Sequence, residues 1–405
     1  MRCLLVTSIF APINGGSAVV YEKLCKYGEP GSLVVLAPKY HCATGEALDG
    51  WQTHDKKANY PVHRINLLRP QLIQSTSLLH SIFLFFFVDF PLRVKLFFVV
   101  LTLIKKYDIK TICIGELNSL SWIGPWLKKV VDIKIINYIH GEEITTEATY
   151  RSYNRNRRAA INNADAIIAV SGFTRDYLIN RFRVKPEKVI LIANGVDLQD
   201  FFVSKGSQKL IDRYQISHKK VLTTVGRLVP RKGIDNVIKA LPRTIKAIPD
   251  LHYVIVGIGP YENELKALTK EYKVEKHVTF AGRVPEEELA PHYQVADVFI
   301  MPNRTMPDGD TEGFGLVFLE ANACGKPVIG GRAGGAIEAV KDGINGISVD
   351  GFNLDEISEA IIKMFSDEKY RNNLIDNGLK LAEDASFEHC ALKFNKVCNS
   401  LSKNT

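Results

Sequence analysis

Glu312 and Glu320 stand eight positions apart in "DTEGFGLVFLEANACGKPVIGG", residues 310–331, with Gly313 and Gly315 between them and an apolar run leading into the second. With a helix starting near Leu316, Glu312 falls in the loop before it and Glu320 more than one turn inside. The two carboxylates then meet a ligand at different depths, which does not suit an acid/base dyad. A loop carboxylate suits sugar hydroxyls, and a helical one suits a ribose diol. The glycines let the backbone approach a ligand. The amides around Phe314 and Leu316 would offer a phosphate free N–H groups and the positive end of the helix dipole. "VGRLVPRKG", residues 225–233, supplies matching cations: Arg227 brings a planar fork of donors and Lys232 a compact ammonium, five positions apart. Two anion-binding devices in one half of the chain indicate a diphosphate.

The elements that must hold these residues show as short β-branched runs alternating with longer segments of helical period, the pattern of parallel α/β architecture. In the first half the runs are "RCLLVT", "GSLVVLAP", "TICIG", "IKIINYIHG", "DAIIAVS" and "KVILIANG". In the second they are "KVLTTVGRL", "LHYVIVGIG", "HVTFAG", "ADVFIMPN", "KPVIGG" and "GISVD". The series restarts after an irregular stretch, placing a boundary between about Asp197 and Lys219. At 405 residues the chain exceeds the ~250–300 at which one core stops growing, so two Rossmann-like domains are expected, 1–197 and 198–380. A helix over 381–405 carries Phe387, Cys390, Ala391, Phe394, Val397 and Leu401 as one apolar stripe that must dock, crossing back to the first domain. Open α/β sheets bind ligands beyond the carboxyl ends of their strands, so the loops after these runs are where function should collect.

Composition sets outer limits. The chain is 46% hydrophobic and 24% charged, as ordinary globular chains are. A net charge of +8 fits an anionic substrate or a membrane surface but is too diffuse for a nucleic-acid binder. Seven scattered cysteines without a CxxC pair suggest neither a disulfide framework nor a zinc site, and reduced thiols in a cytoplasm are expected. "MRCLLVTSIFAPINGGSAVVYEKL" makes a poor signal peptide and a good buried first strand. The most apolar stretch, "SLLHSIFLFFFVDFPLRVKLFFVVLTLIKKY" (77–107), is broken by Asp89, Pro91, Arg93 and Lys95 into pieces shorter than the ~20 residues of a span. It reads either as a buried amphipathic helix pair or as an interfacial membrane contact.

Glu312-x7-Glu320, "GRLVPRKG", "NGVD", "GGAIEAV" and "DGINGISV" together resemble the nucleotide-sugar-dependent, retaining glycosyltransferases of family 4, which have the GT-B fold. Within that group the 301–329 stretch is similar to the phosphatidylinositol mannosyltransferase and surface-polysaccharide hexosyltransferase branch. The resemblance implies two Rossmann-like domains facing a central cleft. It implies that Arg227 and Lys232 neutralise the donor diphosphate, that Glu320 holds the ribose, and that Glu312 touches the transferred sugar near its 3-hydroxyl. Gly15 and Gly16 of "NGGSAVV" would lay their amides over the donor phosphate, and His140 of "YIHGEE" would bond the sugar 6-hydroxyl. Ser171 and Thr174 of "AVSGFT" would line the cleft. Attack from the face of departure, with the leaving phosphate taking the acceptor proton, would retain anomeric configuration without a covalent nucleophile. GDP-mannose is the first expectation for the donor, and a UDP-sugar the second. No metal is expected, because Arg227, Lys232 and the helix dipole supply the charge; "DGD", Asp308–Asp310, is read as a loop and not a metal motif.

"TYRSYNRNRRAAINNADA" gathers Arg151, Arg155, Arg157 and Arg158 without an acidic residue from Thr149 to Ala164, which fits an anionic acceptor or lipid head group as well as a solvated face. The expectation is a glycan or lipid-linked acceptor, handled in the cytoplasm at the inner face of the membrane. Two rival readings are a sugar-nucleotide 2-epimerase on the same architecture and a non-catalytic sugar-nucleotide-binding subunit. Glu312-x7-Glu320 with "GRLVPRKG" speaks against the first, and the intact set of Glu312, Glu320, Arg227, Lys232 and His140 against the second.

Overall fold

The computed structural model describes residues 2–13, 15–71, 77–146 and 151–403. It divides into two compact units, the first made of Met1–Val170, Thr174–Ile192 and Phe387–Thr405, the second of Ser171–Phe173 and Ala193–Ser386. The division falls at 192/193, before the 197–219 stretch. The reason is local: Val196 donates its N–H to Ala385 O at 2.8 Å, which ties that segment to the end of the second unit.

Among the described residues of the first unit seven parallel strands lie in the order β3-β2-β1-β4-β5-β6-β7. They are β1 (Arg2–Val6), β2 (Leu33–Pro38), β3 (Val62–Ile65), β4 (Ile109–Ile114), β5 (Lys134–Ile139), β6 (Ala166–Ala169) and β7 (Val189–Leu191). The second unit has six, in the order β10-β9-β8-β11-β12-β13. They are β8 (Lys220–Val225), β9 (Leu251–Val256), β10 (Val278–Gly282), β11 (Val298–Met301), β12 (Val328–Gly331) and β13 (Gly346–Val349). Strands covered by helices on both faces read as near-continuous apolar runs, and β2 and β9 are buried along their whole length. The strand missing from the sequence reading is β3, "VHRI". Among the described residues it pairs only with β2, at the sheet edge, and it is half-buried throughout, so it carries no apolar run to announce it.

Both orders reverse direction once, between β1 and β4 and between β8 and β11. In an open α/β sheet such a reversal leaves a crevice at the carboxyl ends of the two strands. The loops after β1 and β4, and those after β8 and β11, therefore build the two positions where a ligand can sit.

The last helix, Phe387–Lys403, belongs to the first unit. Phe387, Cys390, Ala391, Phe394 and Val397 are buried, with the Phe394 ring 6.2 Å from that of Tyr138 and Ser402 Oγ 3.0 Å from Thr111 Oγ1. Phe394→Ala is expected to cost about 3–5 kcal/mol of stability, read as a lower urea midpoint at unchanged slope. A midpoint unmoved by the change would mean that this helix is not integral to the core. All seven cysteines are buried and none forms a disulfide.

Candidate functional site

In the second unit the loop after β8 runs through Gly226 and Arg227 into a short turn, Pro230–Lys232. The loop after β11 descends from Pro302 to Gly315, which caps the helix Leu316–Ala323. The two loops are cross-linked by charge. Lys232 Nζ donates to Glu312 Oε2 at 2.6 Å, and Arg231 Nη1 reaches both oxygens of Asp310 at 3.0 Å. Beneath them Arg304 Nη2 bonds Asp235 Oδ2 at 3.0 Å in a buried pair, and Arg304 N–H donates to Arg231 O at 2.8 Å. Arg227, by contrast, is exposed, with no carboxylate paired to it among the described residues. An ammonium has three donors, so Lys232 can hold Glu312 and still offer hydrogen to a phosphate.

Burial pushes the Glu312 carboxyl up, but the charges of Lys232 and Arg231, with hydrogen bonds from Lys232 and the Phe314 amide, more than offset it and hold the group below its ordinary value. Glu312 is thus a fixed anion, a poor proton donor and a good acceptor for hydroxyls. Two glycines make its loop possible. Gly315 has φ 90°, and a Cβ there would stand 2.7 Å from the Phe318 ring. Gly334 has φ 60°, and its Cβ would meet Glu312 O at 2.1 Å. Gly335 N–H donates to Glu312 O at 2.8 Å, so the backbone after β12 clamps the loop. The helix Leu316–Ala323 has no acidic residue in its first turn to neutralise its amides. One turn in, Glu320 Oε2 accepts from Tyr293 Oη at 2.6 Å. In "DGD", Asp308 Oδ1 accepts from Asp310 N–H at 3.0 Å and Asp310 is held by Arg231, so the run closes a turn. Among the described residues no three His, Cys, Asp or Glu gather as metal ligands.

In the first unit the loop after β1 ends at Gly15, whose φ of 155° and open Cβ position expose the N-terminal amides of the helix Gly16–Lys26. Two interactions fix that loop. Ser8 N–H donates to Glu116 Oε2 at 2.9 Å, across the reversal point. Arg64, nearly buried, donates to Ala11 O at 2.6 Å and Pro38 O at 3.0 Å while Asp55 holds its other edge. His140, at the end of β5, bonds Tyr21 Oη through Nε2 at 2.9 Å. Tyr21 gives its own hydrogen to Gly115 O, so the hydrogen between the two rings belongs to His140 Nε2, leaving Nδ1 as an acceptor. Burial lowers the His140 pKa to about 3, and its ring stacks on Tyr138 at 5.2 Å. Burial raises the carboxyl of Glu143, which accepts the His140 amide, to about 7. The His140 ring is expected to show no titration by NMR across about pH 5 to 8. A midpoint near 6.5 would refute the assigned tautomer and the burial behind it.

Other expected site residues lie differently. Ser171 and Thr174 are fully buried, so neither hydroxyl forms an exposed wall. The side chains of Arg151 and Arg155 lie outside the described residues. Arg157 turns inward to Asn118 Oδ1 at 3.1 Å and Thr146 O at 3.3 Å, so the basic helix is not uniformly solvated. Arg231, Tyr293, Tyr21 and Arg64 went unread in the sequence, and Asp310 was read only as part of a loop. Only Arg231, flanking Lys232, had a signal that could have found it.

Comparison with known proteins follows the same division. Residues 207–381 match the family model for glycosyl transferases group 1, and residues 56–200 the model for glycosyltransferase family 4. The GDP-mannose-dependent alpha-(1-6)-phosphatidylinositol monomannoside mannosyltransferase of Mycolicibacterium smegmatis is 33% identical over 368 residues, 90% of this chain and 89% of that protein. The Corynebacterium glutamicum enzyme for the monoacylated form is 30% identical over 370 residues, again 90% and 89%. In fold, the chain is similar to Anabaena HepE in complex with UDP and glucose, at TM-score 0.76 and 21% identity, covering 99% of this chain and 100% of that one. It is also similar to sucrose-phosphate synthase of Thermosynechococcus elongatus, at TM-score 0.78 and 20% identity over the whole of both chains. With two reversing parallel sheets, two matching family models and relatives at 33% and 30% identity along nine-tenths of its length, the chain belongs to the family 4 glycosyltransferases of the GT-B fold.

Proposed function

We propose that the protein transfers mannose from GDP-mannose to a phosphatidylinositol-type mannoside lipid with retention of anomeric configuration. The observation that carries the substrates is the similarity along nine-tenths of the chain, at 33% and 30% identity, to two enzymes named for that donor and that class of acceptor. In the second unit, Arg227 and Lys232 neutralise the diphosphate together with the amides of Gly313, Gly315 and Leu316, while the Phe314 amide stays on Glu312. Glu320 holds the ribose, and Glu312 accepts from the sugar near its 3-hydroxyl. In the first unit, the amides of Gly15 and Gly16 face phosphate, and Nδ1 of His140 accepts the 6-hydroxyl hydrogen.

During transfer the bond from the anomeric carbon to the phosphate oxygen breaks and one from that carbon to the acceptor oxygen forms. The acceptor proton passes to the departing phosphate. Negative charge grows on that phosphate, and cations already fixed by Asp310, Glu312 and the loop backbone stabilise it without reorganising. Positive charge grows on the sugar ring beside Glu312, which its own ion pair keeps ionised. No metal is needed for either role.

A thermal-shift panel of nucleotide sugars, run throughout in EDTA, tests the donor. A ligand at about 100 times its Kd adds about 2.7 kcal/mol of stability, so GDP-mannose should raise Tm by several degrees. A rise with UDP-sugars and none with GDP-mannose would reassign the donor, and a rise seen only after Mg²⁺ is restored would overturn the metal-free reading.

A further inference from the structure

The segment Leu78–Tyr107 forms a helix, a π-turn over Phe85–Asp89 and a second helix, Phe90–Tyr107. The second helix uses Leu96, Val100, Leu103 and Ile104 to fill the core of the first unit. Its opposite stripe is also apolar, with Phe90, Val94 and Phe98 four residues apart and exposed. A helix that is apolar on both sides belongs between two apolar layers, and the protein supplies one. The π-turn and the helix before it continue the uncovered layer, with Leu79 79%, Phe83 55%, Phe86 60% and Phe87 69% exposed. Trp126, exposed and edge-on to Phe97 at 6.3 Å, extends it onto the next helix. Isolated exposed apolar residues are ordinary on a protein surface, but a contiguous aromatic face is not.

Charge selects what covers this face. Phe90–Tyr107 carries Arg93, Lys95, Lys105 and Lys106 and no acidic residue. Arg93 lies against the face itself, 5.4 Å from the Trp122 ring and 6.0 Å from that of Phe85, and Lys95 is exposed beside it. A second copy of the chain, meeting it about a twofold axis, would set these cations against themselves. An anionic lipid surface meets both features: phenylalanine rings enter the acyl boundary while lysine and arginine reach the head groups. No described helix is long and apolar enough to cross a membrane, so the contact is with one leaflet.

We propose that the face formed by Leu79, Phe83, Phe86, Phe87, Phe90 and Phe98 docks the first unit onto an anionic lipid bilayer. The surface stands on its own geometry, and the lipid acceptor proposed above gives it a use: the enzyme works where that acceptor is embedded.

The full-length protein is floated with vesicles of phosphatidylcholine, with or without phosphatidylglycerol, at low and high salt. Binding should favour the anionic vesicles and weaken with salt. The double substitution Phe86→Glu/Phe87→Glu, at exposed positions that the fold does not need, should reduce binding by more than about tenfold. Lys95→Glu should reduce it less, and only at low salt. Wild-type protein that fails to float, floats equally after the double substitution, or sediments as a concentration-dependent dimer abolished by it overturns the proposal. The thermal shift with GDP-mannose separates the two readings, since the double variant should keep it unchanged. Loss of docking with the shift retained touches only this surface, whereas docking without any shift touches only the donor.

Discussion

Replacing Lys232 with alanine is expected to destabilise the protein by about 3–5 kcal/mol and to lower kcat/KM by about 10²- to 10³-fold. Two different causes act. The stability loss comes from Glu312, which has Lys232 at 2.6 Å and a side chain only 13% exposed. Without the ammonium, a carboxylate is stranded in a poorly solvated place. The activity loss comes from the missing cation at the diphosphate. The pH dependence separates these causes. In the parent, Glu312 has a lowered pKa, so its contribution is present above the ordinary carboxylate value of 4.5 and is lost as pH falls through the depressed value. In Lys232→Ala burial dominates and the pKa rises, so the variant should gain stability relative to the parent as pH falls toward that range. Adding Glu312→Gln should recover most of the stability and none of the turnover. Urea midpoints at neutral and mildly acidic pH, with kinetics on the same preparations, measure both. An unchanged midpoint for Lys232→Ala would deny the ion pair its structural weight.

Glu312→Gln alone should reduce kcat by about 10²-fold or more, because a neutral amide does not stabilise positive charge growing on the sugar. Affinity for GDP should hold or increase, since Lys232 released from its partner turns wholly to phosphate. Glu320→Gln should behave the other way. The glutamine still accepts from Tyr293, so the helix is undisturbed, while a charged acceptor for ribose is lost at about 1.5–3 kcal/mol, or tenfold or more in donor affinity. kcat at saturating donor should change little. Titration with GDP and initial rates at saturating donor resolve the contrast. Equal losses of affinity and turnover in both variants would show that the two carboxylates do not divide the work.

The strands of both sheets were legible because a buried parallel strand is a near-continuous apolar run, as "LVVLAP" is and as "LHYVIV" is apart from His252, whose ring finds Thr279 Oγ1. "VHRI" was not, since an edge strand half in water need not be. The E-x7-E and R-x4-K spacings located the loops that meet at the reversal point of the second sheet. They did not reveal that Lys232 and Glu312 are each other's partner, because the contact spans 80 positions and rests on glycine-mediated backbone packing. Tyr21 and Tyr293 were invisible for the same reason: an aromatic at a helical position reads as core until the fold brings His140 or Glu320 to its hydroxyl. Residues 77–107 left two readings open. Periodicity finds the stripe that fills the core, but only the folded chain shows that the opposite stripe is uncovered.

The most direct test is to incubate the purified protein with GDP-mannose and phosphatidylinositol monomannoside in anionic vesicles and determine the product by mass spectrometry and NMR. GDP and a lipid bearing one additional mannose in α-configuration are expected, in equal amounts. A β-linked product would contradict retention. An epimerised free nucleotide sugar with the lipid unchanged would contradict glycosyl transfer itself.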